Sequence, residues 1–183
     1  ADFAGQVEVI GSSVKQYQPG DEVFGYLPSS TGRGTFVEYV CADEKMISLK
    51  PANLTFKQAA AVPLAAMTAL QGLREKGNIQ PGQKVLVYGA AGGVGTFAVQ
   101  IAKAFGAEVT AVCSTKNLDI ARSIGANHVI DYKVEDFTHA RAQYDLILAV
   151  NGFRPIEDYL GALKPGGSYV VTGGSMRQLI QAG

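Results

Sequence analysis

The chain has 183 residues, enough for one complete domain and part of a second at about 150 residues per domain. Apolar residues make up 47% and charged residues 17%, which excludes intrinsic disorder. Sixteen Lys+Arg cancel sixteen Asp+Glu and form no basic tract, so neither nucleic acid nor a membrane surface is expected as a partner.

Residues 1–50 carry short β runs with turn punctuation. Val7 and Val9 open them, Gln18-Pro19-Gly20-Asp21 turns the chain, Val23 and Phe24 follow, and Thr35-Phe36-Val37-Glu38-Tyr39-Val40 alternates like a strand. Thr55 and Gln58 then have capping-box spacing ahead of an alanine-rich helix that Pro63 breaks or restarts, with Gly77 as a left-handed cap. The longest apolar stretch, residues 59–70, falls short of the ~20 residues that cross a bilayer. The N-terminal ADFAGQVEVIG lacks a basic segment followed by an apolar one, so no export signal is expected. Cys41 and Cys113 have no CxxC spacing and read as reduced core thiols of a cytoplasmic protein.

From Pro81 the rhythm becomes strand, helix, strand. Strands are expected at 85–88, 109–113, 128–132, 145–150 and 169–172, the first of them almost wholly apolar as in a parallel sheet buried on both faces. Between them lie helices at 94–105, 118–124 and 155–164, the first two ending at Gly106 and Gly125. In the last, Pro155 suits the first turn, Lys164 suits the negative end, and Pro165-Gly166-Gly167 turns the chain into the final strand. The alternation argues an α/β, doubly wound parallel sheet of the Rossmann type, one strand short of a six-stranded version.

Gly89-Ala90-Ala91-Gly92-Gly93-Val94-Gly95 sits between a predicted strand and a predicted helix. Gly92 and Gly93 let backbone approach a pyrophosphate, the first helical N–H groups face that charge, and Gly95 permits close helix packing. The cluster matches G-x-x-G-x-x-G rather than the strict G-x-G-x-x-G, and a tight turn without a ligand is the plain alternative. No Gly-Lys-Ser/Thr follows, which excludes a Walker A loop. Where NAD-dependent proteins place an acid for the ribose, the chain reads Cys113-Ser114-Thr115-Lys116. With no carboxylate there and a lysine to pair with phosphate, NADP(H) is favoured over NAD; the alternative for Lys116 is a solvated surface role.

The run from Gly82-Gln83-Lys84 through the glycine cluster to Gln100-Ile101-Ala102-Lys103 resembles the medium-chain dehydrogenase/reductase superfamily, in its zinc-lacking quinone oxidoreductase (zeta-crystallin-like) branch. Asp2-Phe3-Ala4-Gly5, Pro19-Gly20-Asp21-Glu22-Val23-Phe24-Gly25, Ala59-Ala60-Ala61-Val62-Pro63 and Leu163-Lys164-Pro165-Gly166-Gly167 extend the likeness. The resemblance implies part of a β-rich GroES-like catalytic domain over 1–54 and an NAD(P)-binding Rossmann domain over 55–183. It also implies that the start of the first domain and the last strand of the second are absent.

It further implies cofactor contacts from Thr68 near the nicotinamide and from Gly89, Ala90, Ala91, Gly92, Gly93 and Val94 at the pyrophosphate. Ser114, Lys116 and Tyr132 would surround the 2′-phosphate, with Asn151 and Gly173 near the nicotinamide ribose; Tyr132 also reads as a strand-end aromatic. Where zinc alcohol dehydrogenases have His-Glu and a cysteine, this chain has Ala1-Asp2 and Leu64, so no metal site is expected. His128 and His139 have no ligand spacing. The implied protein is a homodimeric, NADPH-dependent reductase of quinones or α,β-unsaturated carbonyl compounds, with no catalytic residue assignable within this chain. A non-catalytic NADPH-binding protein and a zinc alcohol dehydrogenase with ligands elsewhere are the alternatives.

Overall fold

The computed structural model describes residues 1–28, 34–139, 141–150 and 154–173. The chain forms two compact units, Ala1–Met67 and Thr68–Gly183.

The first unit holds an antiparallel sheet in the order β1 (Asp2–Gln6), β2 (Glu22–Tyr26), β3 (Ile47–Leu49). Gly25 of β2 pairs with Phe3 of β1, and a Cβ on this glycine would run into the Met46 carbonyl. Lys50, its side chain 5% exposed, pairs with Glu22 at 2.9 Å and donates to the Leu54 carbonyl at 2.6 Å, tying β2 to the turn that follows β3. The expected alternating strand over 35–40 does not form: these residues pair with no strand of the sheet, and Phe36 and Tyr39 stand exposed. Alternation yields a strand only where a partner edge supplies hydrogen bonds, and none of the described strands does so here. Val7 and Val9 likewise lie past the end of β1, while the short β3 carried no recognisable pattern. Cys41 is exposed rather than part of a core; Cys113 is buried, and both thiols are free.

The capping box forms as expected. Gln58 N–H donates to Thr55 Oγ1 at 3.3 Å and Thr55 N–H donates to Gln58 Oε1 at 2.9 Å, opening helix α1 (Phe56–Ala59). Pro63 restarts the chain as α2 (Pro63–Leu70), which continues into a π-helical stretch, Gln71–Lys76. Gly77 closes it in right-handed conformation, φ −85°, so it is not the expected left-handed cap; Asn78 takes that role at φ 47°. Gly77 is needed for space instead, because a Cβ would sit 2.8 Å from both methyl carbons of Leu146. No helix among the described residues is long and apolar enough to cross a membrane.

The second unit is a parallel five-stranded sheet. In chain order the elements are β4 (Lys84–Tyr88), α3 (Gly93–Ala104), β5 (Glu108–Cys113), α4 (Leu118–Ser123), β6 (His128–Asp131), β7 (Tyr144–Ala149), α5 (Ile156–Ala162) and β8 (Leu163–Val171). The strands lie in the order β6-β5-β4-β7-β8, so the chain works outward from β4 first to one side and then to the other. Alternate residues feed two cores: Val85, Val87, Val109 and Leu146 pack with Ala98, Val99 and Ala121 of α3 and α4, whereas Leu86, Val112 and Ile147 pack with Phe137 and Tyr159. Each fully buried Val, Leu or Ile among them stabilises the fold by ~1.5–3 kcal/mol. Gly106 and Gly125 end their helices at φ 79° and 101°, as expected.

The last helix ends earlier than its pattern implies. Lys164 belongs to β8, where its Nζ donates to both carboxylate oxygens of Asp145 at 2.8 and 2.9 Å, and does not serve the helix terminus. Pro165-Gly166-Gly167 is a bulge inside β8 rather than a turn before it. Tyr144 pairs with Leu163 but Leu146 pairs with Ser168, and Gly166 absorbs the extra residues at φ 79°.

Candidate cofactor site

In a sheet whose order reverses beside its first strand, the crevice for a ligand lies at the carboxyl ends of the strands around that switch point. A cleft of about 580 Å³ opens there. Tyr88 and Gly89 enter it from the end of β4, Cys113 and Ser114 from β5, Tyr132 from beyond β6 and Val150 from beyond β7. Ala91, Gly92 and Asn117 complete the wall.

Three glycines of the cluster act through different physics. Gly89 leaves β4 at φ 83°, a conformation that favours glycine, and its N–H and that of Ala90 both donate to the Val112 carbonyl, at 3.0 and 3.1 Å. Gly95 is a packing glycine: a Cβ there would strike the Gly89 carbonyl oxygen and lie 2.7 Å from Ala90 Cα. The contact is therefore with the strand-exit turn, closer than the sheet contact expected for it. Gly92 has neither constraint. Its φ is −81°, and a Cβ would meet only the Gly89 oxygen, at 3.6 Å. Nothing among the described residues demands a glycine at 92; a group occupying the cleft would.

Gly92 is also the N-cap of the twelve-residue α3, and no side chain caps that end. The first-turn N–H groups and the positive end of the helix dipole are thus left to an anion beside the cleft. The cradle fits a dinucleotide pyrophosphate. Gly93 and Val94 lie in this first turn, with Val94 packed against the core rather than lining the cleft.

On the β5 side, Ser114 is 9% exposed and precedes a single 3-10 turn, Thr115–Asn117. Lys116 lies in that turn, exposed and without an ion-pair partner among the described residues. The absence of an acid at this strand end does not mean that no carboxylate is near: Asp131, at the end of β6, is in register with Cys113 and buried. Hydrogen bonds from Thr115 and from the Lys133 N–H, the latter at 3.0 Å, hold its carboxyl below the usual range. Asp131 is absent from the cleft lining and braces the two loops that carry Ser114 and Tyr132. Burial and the Asp131 charge push the Cys113 thiol up, so it is a poor nucleophile.

Gly173 follows β8, and a Cβ on it would lie 2.7 Å from the carbonyl oxygen of Val150, itself part of the cleft wall. Thr68 is half-buried in α2 and does not line the cleft, and Asn151 lies outside the described residues. The fold thus brings Gly89, Ala91, Gly92, Ser114 and Tyr132 to one cavity, with Ala90, Gly93, Val94, Lys116 and Gly173 beside its walls. Tyr88, Cys113, Asn117 and Val150 also line the cleft, and none of them is among the expected cofactor contacts. Tyr88 closes the apolar strand and Val150 ends the stretch expected as another, and both ends point to the cleft once the strand order is known.

Two family models match the chain: an alcohol dehydrogenase GroES-like domain over residues 1–52 and a zinc-binding dehydrogenase over residues 93–182. The chain is 41% identical over 182 residues to 2-methylene-furan-3-one reductase of Solanum lycopersicum, a match covering 96% of this chain and 46% of that protein. It is 36% identical, with the same shares covered, to the chloroplastic NADPH-dependent alkenal/one oxidoreductase of Arabidopsis thaliana. The solved structure of the quinone oxidoreductase from Coxiella burnetii superposes with a TM-score of 0.83 at 35% identity, covering 92% of this chain and 53% of that one. The chain spans about half the length of the curated relatives it matches. With a Rossmann sheet, an antiparallel GroES-like sheet and these relatives, the chain belongs to the medium-chain dehydrogenase/reductase superfamily.

Proposed function

We propose that this chain forms the cofactor-binding core of a zinc-independent oxidoreductase that reduces a quinone or an α,β-unsaturated carbonyl compound with NADPH. The observation that carries the reading is the uncapped N-terminus of α3 behind Gly92, in one cleft with Ser114 and with Lys116 on the adjoining turn. The helix end and the glycine suit a pyrophosphate, and a serine hydroxyl with a free lysine suits a 2′-phosphate better than a bare ribose hydroxyl pair. The relatives named for NADPH-dependent alkenal/one and quinone reduction support the acceptor class.

The bound cofactor would supply the hydride; the protein's part is to bind and orient it and to keep water away. Gly89 and the first turn of α3 would fix the pyrophosphate, Ser114, Lys116 and Tyr132 the 2′-phosphate end, and the Val150–Gly173 contact the wall towards the nicotinamide. Zinc independence rests on ligand chemistry. Leu64 offers no donor atom, and Asp2 Oδ1 already accepts the Leu64 N–H at 2.9 Å, capping the start of α2. Steady-state NADPH oxidation by the full-length protein, with quinone, enone and aldehyde acceptors and with and without a chelator, tests the proposal. Turnover with quinone or enone that survives chelation is expected; turnover only with aldehyde, or only with zinc, would overturn it.

A further inference from the structure

Asn117 lines the cleft beside Ser114 and has a bonding pattern that bears on how Ser114 can be used. Its backbone N–H donates to the Ser114 carbonyl at 2.8 Å, which holds the 3-10 turn, and its side-chain Nδ2 donates to Ser114 Oγ at 3.1 Å. A serine hydroxyl has one proton to give and two lone pairs to fill. The Asn117 amide occupies a lone pair, so the proton must be given elsewhere. Among the described residues Ser114 Oγ donates to no acceptor, although the residue is only 9% exposed. A nearly buried hydroxyl with its acceptor side satisfied and its donor side open is set up to meet an acceptor that enters the cleft.

Building on the reading of this cleft as an NADPH site, we propose that Asn117 is a positioning residue that reserves the Ser114 hydroxyl proton for the cofactor 2′-phosphate. It thereby sets the preference for the phosphorylated dinucleotide. A phosphate is acceptor-rich and anionic, so it rewards a donor and a nearby cation together; a ribose 2′-hydroxyl can itself donate and gains little from a second donor. Lys116 supplies the cation one residue before Asn117 on the same turn. Replacing Asn117 by aspartate inverts the arrangement: the carboxylate accepts the Ser114 proton and adds a negative charge where the phosphate would bind.

The test is calorimetric titration of the full-length protein with adenosine 2′,5′-bisphosphate and adenosine 5′-monophosphate, which differ only in the 2′-phosphate. Asn117→Asp should weaken the bisphosphate by roughly tenfold or more and leave the monophosphate within about twofold. Asn117→Ala should weaken the bisphosphate by about threefold, and Ser114→Ala by at least as much. Because Asn117 acts through Ser114, the double alanine variant should be no worse than Ser114→Ala alone. Losses that multiply in the double variant, or a loss in Asn117→Ala shared equally by both probes, would overturn the proposal and mark Asn117 as merely structural. Wild-type protein that prefers the bisphosphate while Asn117→Asp keeps that preference sinks this inference alone. Wild-type protein that does not distinguish the probes sinks the NADPH reading with it.

Discussion

Gly92 and Gly95 lie three residues apart in one glycine cluster, and alanine at each should fail in opposite ways. At Gly95 the added methyl would strike the Gly89 carbonyl oxygen and sit 2.7 Å from Ala90 Cα and 2.8 Å from the Ala90 carbonyl carbon. All three are backbone atoms that no rotamer change can clear, which places the substitution at the upper end of overpacking, ~3 kcal/mol. Alanine gains ~1 kcal/mol over glycine inside a helix, which offsets part of this. A net loss of about 2 kcal/mol lowers Tm by roughly 4–8 °C in a protein of this size. At Gly92 the methyl would meet only the Gly89 oxygen at 3.6 Å, an ordinary contact, and φ is −81°. Its effect on stability should stay within ~0.5 kcal/mol, since the N-cap cost of alanine and the reduced freedom of the unfolded chain nearly cancel. That methyl would enter the place proposed for the pyrophosphate, so NADPH affinity should fall by at least about tenfold, or ~1.4 kcal/mol. Thermal melts without ligand and fluorescence titration with NADPH separate the two effects. If Gly92→Ala melts as early as Gly95→Ala, or binds NADPH like the wild type, the assignment of Gly92 to the ligand and Gly95 to packing is wrong.

Lys116→Ala should weaken NADPH by about tenfold while leaving NADH within twofold, measured by calorimetry, because a charge-assisted phosphate contact contributes ~1.5–3 kcal/mol. Arg154 donates to both Asp136 oxygens at 2.7 and 3.0 Å and holds that carboxyl well below the usual carboxylate range. A depressed folded-state pKa gives stability that is present above the unfolded value near 4 and is lost as pH falls. Arg154→Ala should therefore cost about 1 kcal/mol at pH 7, allowing for the partly exposed pair, and progressively less below pH ~4, read from denaturant midpoints. Gly77→Ala should destabilise by ~1–3 kcal/mol through Leu146, whereas Asn78→Gly, which relieves φ 47°, should be neutral or slightly stabilising in thermal melts.

The parallel sheet was legible because its signals are local and mutually consistent. Val85, Leu86 and Val87 form an apolar run that only burial on both faces explains, and Gly106 and Gly125 supply the left-handed caps that follow α3 and α4. The errors arise where a local pattern is overruled by a distant partner. Gly77 looks like a cap, yet what requires it is Leu146, a strand away. Lys164 looks like helix-terminal charge, yet Asp145 claims it. Residues 35–40 alternate like a strand, but they pair with no described strand. At the site, the glycine cluster and Ser114 were readable from spacing. Asn117 and Asp131 were not: Asn117 bonds to Ser114 within a 3-10 turn that no spacing announces, and Asp131 meets Thr115 only when β5 and β6 are paired.

The proposed hydride transfer from NADPH to an acceptor can be followed by isotopic labelling of the cofactor. The full-length, metal-depleted protein would be supplied with NADPH deuterated at nicotinamide C4, in each stereochemical form, together with an α,β-unsaturated ketone, and the product analysed by mass spectrometry and NMR. One of the two labelled forms should deliver deuterium to the β-carbon, with the α-carbon taking its hydrogen from solvent. Saturated product with no β-deuterium from either form, or no product until zinc is restored, would contradict it.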